Sequence, residues 1–106
     1  MNEKKMSMDD FLKKGFYLFG IDRNDWKFIC PVCETIISVE DYKKEKAPEG
    51  AIAYSCIGRY IKNSQKAFGD KKIIKGQPCD YTTGGLLNIS PIEIDGQRYF
   101  DFYENK

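Results

Sequence analysis

The sequence contains no histidine, and this absence excludes several kinds of site. No side chain in the chain has an ordinary pKa that suits proton exchange near neutral pH. Cysteine–histidine and serine–histidine nucleophile systems are excluded, and so are zinc sites that mix cysteine with histidine. Any metal site must therefore be built from cysteine or carboxylate ligands.

Long apolar runs and an excess of one charge are also missing. The N-terminal segment MNEKKMSMDDFLKK lacks the apolar stretch of about 7 to 15 residues that a secretory signal needs. No run approaches the roughly 18 apolar residues of a membrane span, so we expect a cytoplasmic protein with reduced thiols and no membrane partner. The 17 basic and 16 acidic residues leave a net charge of +1, which argues against a DNA mimic and against a protein that coats nucleic acid.

The composition is globular, with 42% hydrophobic and 14% aromatic residues in a chain of 106. This length predicts one domain over residues 1–106, with residues 1–7 as a flexible N-terminus. The patterns below predict the α+β class, in which an antiparallel sheet with two short helices is stapled by a four-cysteine zinc site.

Two helix starts can be read from the sequence. Ser7 precedes two aspartates and predicts a short helix that ends near Gly15. Ser38, with Asp41 three positions later, predicts a capping box and a second helix that runs to about Lys46.

Strands are predicted between and after these helices. Residues 26–30 alternate and lead into a CPVC turn, and residues 51–56 predict a second strand. The Asp95–Gly96 pair is a strong hairpin signal, because both turn positions favour positive φ. The hairpin sets Ile94 opposite Gln97.

The four cysteines give the clearest functional signal. Cys30 and Cys33 form CPVC, while Cys56 lies in YSCIG and Cys79 in QPCDY, each near a proline or glycine. Twenty-two residues separate Cys33 from Cys56, and the same number separates Cys56 from Cys79. Four thiolates around one zinc make the closed tetrahedral site typical of structural zinc. We predict that these four residues bind zinc and that the metal is structural, because nothing indicates an open coordination position.

Three other interpretations of the cysteines stay open at this point. Cys56 and Cys79 can be small buried hydrophobic residues. The CPVC motif can be a thioredoxin-like redox pair, although no βαβ pattern surrounds it. Disulfides are a third interpretation, and four cysteines allow three pairings.

Residues 59–75, RYIKNSQKAFGDKKIIK, form a basic segment with six basic residues and one acid. The segment can contact a nucleic-acid backbone with one or two stacking rings, dock on an acidic protein surface, or be a solvated loop. Recognition patches are enriched in aromatic residues and arginine. The predicted partner-binding residues are Arg59, Tyr60, Lys62, Lys66, Phe68, Lys71 and Lys72.

The segments CPVC, APEGAIAYSCIGRY and QPCDYTTGGLLNISPIEI resemble a family of small phage and prophage proteins over residues 26 to about 103. The recurring cysteines of that family map onto the four cysteines here, which implies a shared metal site. The family often has glycine after CPxC, whereas this chain has Glu34. We therefore expect the turn to close differently.

A small metal-binding phage protein of this type also resembles some anti-CRISPR proteins that inhibit type II RNA-guided nucleases. The resemblance implies a compact protein that is not an enzyme and that suppresses host defence by binding the effector nuclease of its bacterial host. It places the chain in the cytoplasm of the infected or lysogenic cell. The near-zero charge favours docking on a protein lobe over imitation of DNA in the positively charged channel of such effectors.

Two other functions remain as alternatives. A zinc-containing nucleic-acid-binding module should lose affinity steeply with salt through the lysines of the basic segment. A thiol oxidoreductase should reduce a test disulfide and lose that activity on Cys30→Ser.

Overall fold

The structure is a computed structural model that describes residues 4–85 and 88–104. It is a small compact α+β domain with two helices and two three-stranded sheets, which confirms the predicted fold class. Of the N-terminus predicted to be flexible, residues 1–3 lie outside the described residues, and Ser7 caps the first helix. In chain order the elements are β1 (Lys4–Lys5), α1 (Met8–Phe19), β2 (Lys27–Ile29), β3 (Ile36–Ser38), α2 (Val39–Lys44), β4 (Ile92–Ile94), β5 (Gln97–Tyr99) and β6 (Asp101–Phe102), with short 3-10 helices at Arg23–Asp25, Glu49–Ala51 and Ile57–Tyr60.

The two sheets are arranged β1-β4-β5 and β3-β2-β6. All strand pairs are antiparallel except β1 with β4. The β4–β5 hairpin has the predicted register, with Ile94 opposite Gln97. Asp95 and Gly96 both have positive φ, at 51° and 84°, as a tight two-residue turn between twisted strands requires.

Helix α1 is longer than the sequence predicts. Ser7 caps it by accepting a hydrogen bond from the Asp10 N–H at 3.1 Å, but the helix continues through Gly15 to Phe19. Gly20, with φ at 87°, follows the last helical residue. A Cβ at Gly15 would lie 2.3 Å from the ring of Trp26. The prediction that α1 ends near Gly15 is therefore wrong, because this glycine serves helix packing and not termination.

Helix α2 begins where the capping box predicts. The Ser38 hydroxyl accepts from the Asp41 N–H at 3.0 Å, and the Asp41 carboxylate accepts from the Ser38 N–H at 2.9 Å. The helix ends at Lys44, slightly before the predicted Lys46, which has a φ of 57°.

The predicted strand over residues 51–56 is not formed. The segment begins in the 3-10 helix Glu49–Ala51 and continues through turns, with Ala53 at a φ of 58°. Ser55 makes one isolated antiparallel bridge with Thr82. The prediction is wrong because the backbone turns at Ala53, and alanine is not a residue that is typical of turns.

The hydrophobic core joins the aromatic side chains of both sheets to the cysteines. Phe11 of α1 stacks on Phe102 with ring centroids 4.6 Å apart, and Phe102 stacks on Phe28 at 5.0 Å. Tyr81 and Phe100 stack at 5.9 Å in the same core. Among the described residues, no helix is long and apolar enough to cross a membrane.

Candidate metal centre

Three loops bring the four cysteines together. Cys30 and Cys33 lie in the turn between β2 and β3, which closes through a hydrogen bond from the Glu34 N–H to the Cys30 carbonyl at 2.9 Å. Cys56 precedes the 3-10 helix Ile57–Tyr60, and its N–H donates to the carbonyl of Tyr81 at 2.8 Å. That bond holds the Cys56 loop against the segment that carries Cys79.

The geometry of the sulfurs matches a single tetrahedral metal site. All four Sγ atoms lie within 4.8 Å of one another. Cys30 and Cys79 are 3.8 Å apart, and Cys33 and Cys56 are 3.7 Å apart. Four sulfurs held about 2.3 Å from one zinc lie about 3.8 Å apart. Disulfide sulfurs would be about 2.05 Å apart, so the structure contains four free thiols and no disulfide among its described residues.

All four cysteines are fully buried, so ionised sulfurs here require a positive charge nearby. Hydrogen bonding with the Cys33 sulfur raises the pKa of Cys30, and the same interaction lowers the pKa of Cys33. The Thr35 hydroxyl lies 3.1 Å from the Cys33 sulfur and lowers that pKa further. A cluster of this kind can hold a metal ion, whose charge compensates the thiolates.

Glu34 follows the CPVC motif in a conformation that glycine favours. Its φ is 60°, in the left-handed region, and its carboxylate accepts from the Lys75 ammonium at 2.7 Å. Both side chains of this ion pair are more than half exposed, so the pair contributes little to stability.

We expect Glu34→Gly to be more stable than Glu34→Ala, the reverse of the usual order. Both variants lose the ion pair with Lys75, but only glycine removes the Cβ that disfavours positive φ, a difference of about 1 kcal/mol. Urea denaturation of the two variants measures this difference in the free energy of unfolding. A higher free energy of unfolding for the alanine variant would contradict the strain at this turn.

The role of Gly58, which contacts the candidate metal centre directly, was not predicted from the sequence. A Cβ at Gly58 would lie 2.0 Å from the carbonyl oxygen of Cys79, so the backbones at these two residues touch. The one signal in the sequence is a glycine two positions after Cys56. Thr35 was also missed, because a threonine beside a cysteine gives no pattern.

The basic segment is fixed to the metal centre by its backbone. The Gln65 N–H donates to the Pro78 carbonyl at 3.1 Å, and the Gly76 N–H donates to the Cys33 carbonyl at 2.7 Å. The Ala67 N–H donates to the carboxylate of Asp80 at 2.7 Å. Five of the seven predicted partner-binding residues are therefore carried on a loop that is held next to the cysteines, and Arg59 and Tyr60 lie in the 3-10 helix that follows Cys56.

The aromatic and arginine side chains of this segment differ in exposure. Arg59 is exposed and donates to the carbonyl of Asp80 at 3.0 Å, and Tyr60 is half-buried in contact with the core. Phe68 is 54% exposed, with its ring edge-on to Tyr81 at 6.0 Å. Their binding of a partner stays a prediction.

Comparison with known proteins gives one informative relative. The chain is 29% identical over 70 residues to a protein of Prochlorococcus marinus subsp. pastoris named tRNA uridine(34) hydroxylase. The matched region is 66% of this chain and 19% of the relative, so the chain spans about a fifth of that protein's length. No solved structure matches the chain.

This relative corrects one prediction. The sequence and its resemblance to nuclease inhibitors led to the prediction that the chain is not an enzyme. That prediction is wrong, because the relative is named as an enzyme that acts on tRNA. The absence of histidine excludes certain nucleophile systems but does not exclude enzymatic activity.

The second comparison covers almost the whole chain. The profile of a family described as VVA0879-like matches residues 7–103, a span that includes the four cysteines and the basic segment. The chain belongs to the VVA0879-like family.

Proposed function

We propose that this chain contributes RNA binding to an enzymatic activity on RNA, as a small domain held together by zinc. The proposal rests on four exposed lysines, which lie on a loop that is hydrogen-bonded to the residues beside the cysteine cluster. The relative named as a tRNA uridine(34) hydroxylase supports tRNA as the class of nucleic acid.

Zinc is the metal that the ligand set favours. Four cysteine thiolates in a tetrahedral arrangement are typical of structural zinc or of iron–sulfur centres, and a buried site with one sulfur per vertex suits a single closed-shell ion. Such an ion would join the β2–β3 turn, the Cys56 loop and the Cys79 loop that follows the basic segment. Native mass spectrometry identifies the metal by the added mass.

The lysines of the basic segment are available for phosphate. Among the residues that the structure describes, none of these four side chains forms an ion pair with an acid, whereas Lys75 pairs with Glu34. When unpaired ammonium groups contact the phosphates of a nucleic acid, counterions are released from the nucleic acid. This release supplies most of the affinity of a protein for the nucleic-acid backbone. The four residues are Lys62, Lys66, Lys71 and Lys72.

The loop that carries the lysines has a fixed shape. The side-chain amide of Gln65 donates to the carbonyls of Ile74 and Gln77 at 2.8 and 2.7 Å and accepts from the Ile74 N–H at 3.0 Å. These bonds cross the loop and hold its two ends together. A preordered cationic loop loses less conformational entropy on binding than a flexible one.

We expect the triple variant Lys66→Gln, Lys71→Gln and Lys72→Gln to bind tRNA more weakly and with a shallower dependence on salt. Removing three phosphate contacts should reduce the slope of log affinity against log salt by about 2 to 3. Fluorescence anisotropy of labelled tRNA, measured at several salt concentrations, gives both quantities.

The matched control replaces three exposed lysines outside the segment, Lys13, Lys27 and Lys44, by glutamine. It changes the net charge equally and should keep most of the affinity. Equal losses in the two triple variants would contradict binding through the basic segment. Absence of salt-dependent tRNA binding by the unmodified chain would contradict the proposed function itself.

A second candidate is the inhibition of a type II RNA-guided nuclease by a phage-encoded protein, which stays a prediction. It is favoured by the exposed apolar side chains among the lysines, since Phe68 is 54% and Ile74 55% exposed. A stable complex with the purified nuclease on size-exclusion chromatography, without tRNA binding, would support this candidate against the first.

A further inference from the structure

A groove separate from the metal centre lies between α1, α2, the 3-10 helix Arg23–Asp25 and residues 47–53. Its volume is about 430 Å³, which falls within the range of small-molecule sites. The buried residues Trp26 and Tyr42 lie at its base. The half-buried side chains of Tyr99 and Ile52 form its walls. We call it the aromatic groove.

The aromatic base of this groove is rigid. The Tyr42 hydroxyl donates to the carbonyl of Ser55 at 2.7 Å, and the Trp26 indole N–H donates to the carbonyl of Gly20 at 3.0 Å. Both polar groups are therefore used within the protein, and neither is available to a ligand. The half-buried ring of Tyr99, which also lines the groove, can stack on a flat aromatic ligand.

Two cations line the same groove. The Arg23 guanidinium lies 5.6 Å from the Trp26 ring centroid and 5.8 Å from that of Phe16, which holds it in place. The Lys43 ammonium donates to the Asn24 side-chain oxygen at 2.6 Å. Within the described part of the chain, neither cation pairs with a carboxylate.

Glu49 adds one carboxylate to the lining. The groove therefore offers aromatic walls, two cations for an anionic group and an acceptor for hydroxyl or amine donors. A lipid chain or a fatty acid carries no such donors and is not planar. A nucleotide carries all three matching features, namely a planar base, a phosphate, and ribose hydroxyl or base N–H groups.

We propose that the aromatic groove is a nucleotide-binding site, in which Arg23 and Lys43 contact the phosphate, Tyr99 stacks on the base and Glu49 accepts from a ribose hydroxyl or base N–H. The proposal goes beyond RNA binding by the basic segment and does not depend on it, because none of the seven predicted partner-binding residues lines this groove.

Titration with uridine and adenosine monophosphates tests the site on the full chain. Trp26 is the single tryptophan, so its fluorescence should change with saturation as the groove fills. Isothermal titration gives the dissociation constant independently of the fluorophore. Lys43→Gln and Arg23→Gln should each weaken binding about tenfold, since each removes one charge-assisted contact with the phosphate.

The matched control is Lys44→Gln, which removes the next lysine on α2, a residue outside the groove lining. It should leave binding unchanged. The uncharged nucleosides, which lack both phosphate contacts, should bind about 100-fold more weakly than the monophosphates. Equal weakening by Lys44→Gln, equal binding of inorganic phosphate alone, or no saturation at about 1 mM nucleotide would overturn the site.

The outcomes of this titration and of the tRNA experiment are distinguishable. The triple lysine variant of the basic segment should bind monophosphates as well as the unmodified chain does. Nucleotide binding without tRNA binding would support the groove and contradict the proposed function. The reverse result would support the proposed function and overturn the groove.

Discussion

Replacing any one of the four cysteines by serine should abolish stoichiometric metal binding and cooperative unfolding together. Structural zinc contributes about 10–16 kcal/mol of apparent free energy in small peptides, which is as large as the whole stability of an ordinary domain. A closed site needs every vertex, so Cys56→Ser and Cys79→Ser should be as damaging as Cys30→Ser. Native mass spectrometry measures the bound metal, and thermal unfolding followed by circular dichroism measures cooperativity.

A milder change near the same sulfurs provides the control. Thr35→Val removes the hydroxyl that lies 3.1 Å from the Cys33 sulfur but keeps all four ligands. It should retain one equivalent of metal and lose about 1 kcal/mol of stability. A Cys79→Ser protein that still held one equivalent of metal and unfolded cooperatively would show that the site does not have four protein ligands.

The cysteine cluster was predictable because thiolate chemistry is specific. With no histidine present, Cys30, Cys33, Cys56 and Cys79 were the only thiolate or imidazole groups available for a metal. Their convergence was predicted from the four-thiolate coordination typical of structural zinc, not from any secondary structure. The hairpin at Asp95–Gly96 was predictable for a similar reason, since few residue pairs accept two positive φ angles.

What the sequence did not predict depends on contacts between distant residues. Gly15 resembles a helix terminator, yet it lies inside α1 because the ring of Trp26 occupies the space where a side chain would be. Residues 51–56 were predicted to form a strand, but Ala53 adopts a positive φ and the chain turns. In both cases tertiary packing overrides local preference.

The expected class of partner was also inferred from a property of the whole chain. Overall charge near zero argued against a nucleic-acid partner, but this total averages over the molecule. Acidic residues pair with Lys4, Lys5 and Lys14 on other surfaces. Within the described residues, four of the five lysines of the basic segment form no ion pair, and the fifth, Lys75, pairs with Glu34. A local patch can therefore bind phosphate although the whole chain is nearly neutral.

The contact between Gly58 and Cys79 leads to the second large effect that we expect. A Cβ at Gly58 would lie 2.0, 2.7 and 2.8 Å from the carbonyl oxygen, carbonyl carbon and nitrogen of Cys79. These are backbone atoms, so the clash cannot be relieved by rotating a side chain. Gly58→Ala must displace the backbone of Cys79, one of the four candidate metal ligands. It should weaken metal affinity about 100-fold and lower stability by about 3 kcal/mol.

Two other glycines separate this effect from general destabilisation. Gly15→Ala would clash with the Trp26 ring at 2.3 Å and with no backbone atom of a cysteine, so it should lower stability while metal affinity is kept. Gly50→Ala meets nothing within 4 Å and should be neutral or slightly stabilising. Competition with a zinc chelator measures the affinity of each variant. If Gly58→Ala and Gly15→Ala lost the same metal affinity, Gly58 would be an ordinary packing residue. If only Gly58→Ala lost metal affinity, the close approach of the Cys56 and Cys79 loops would position the Cys79 sulfur.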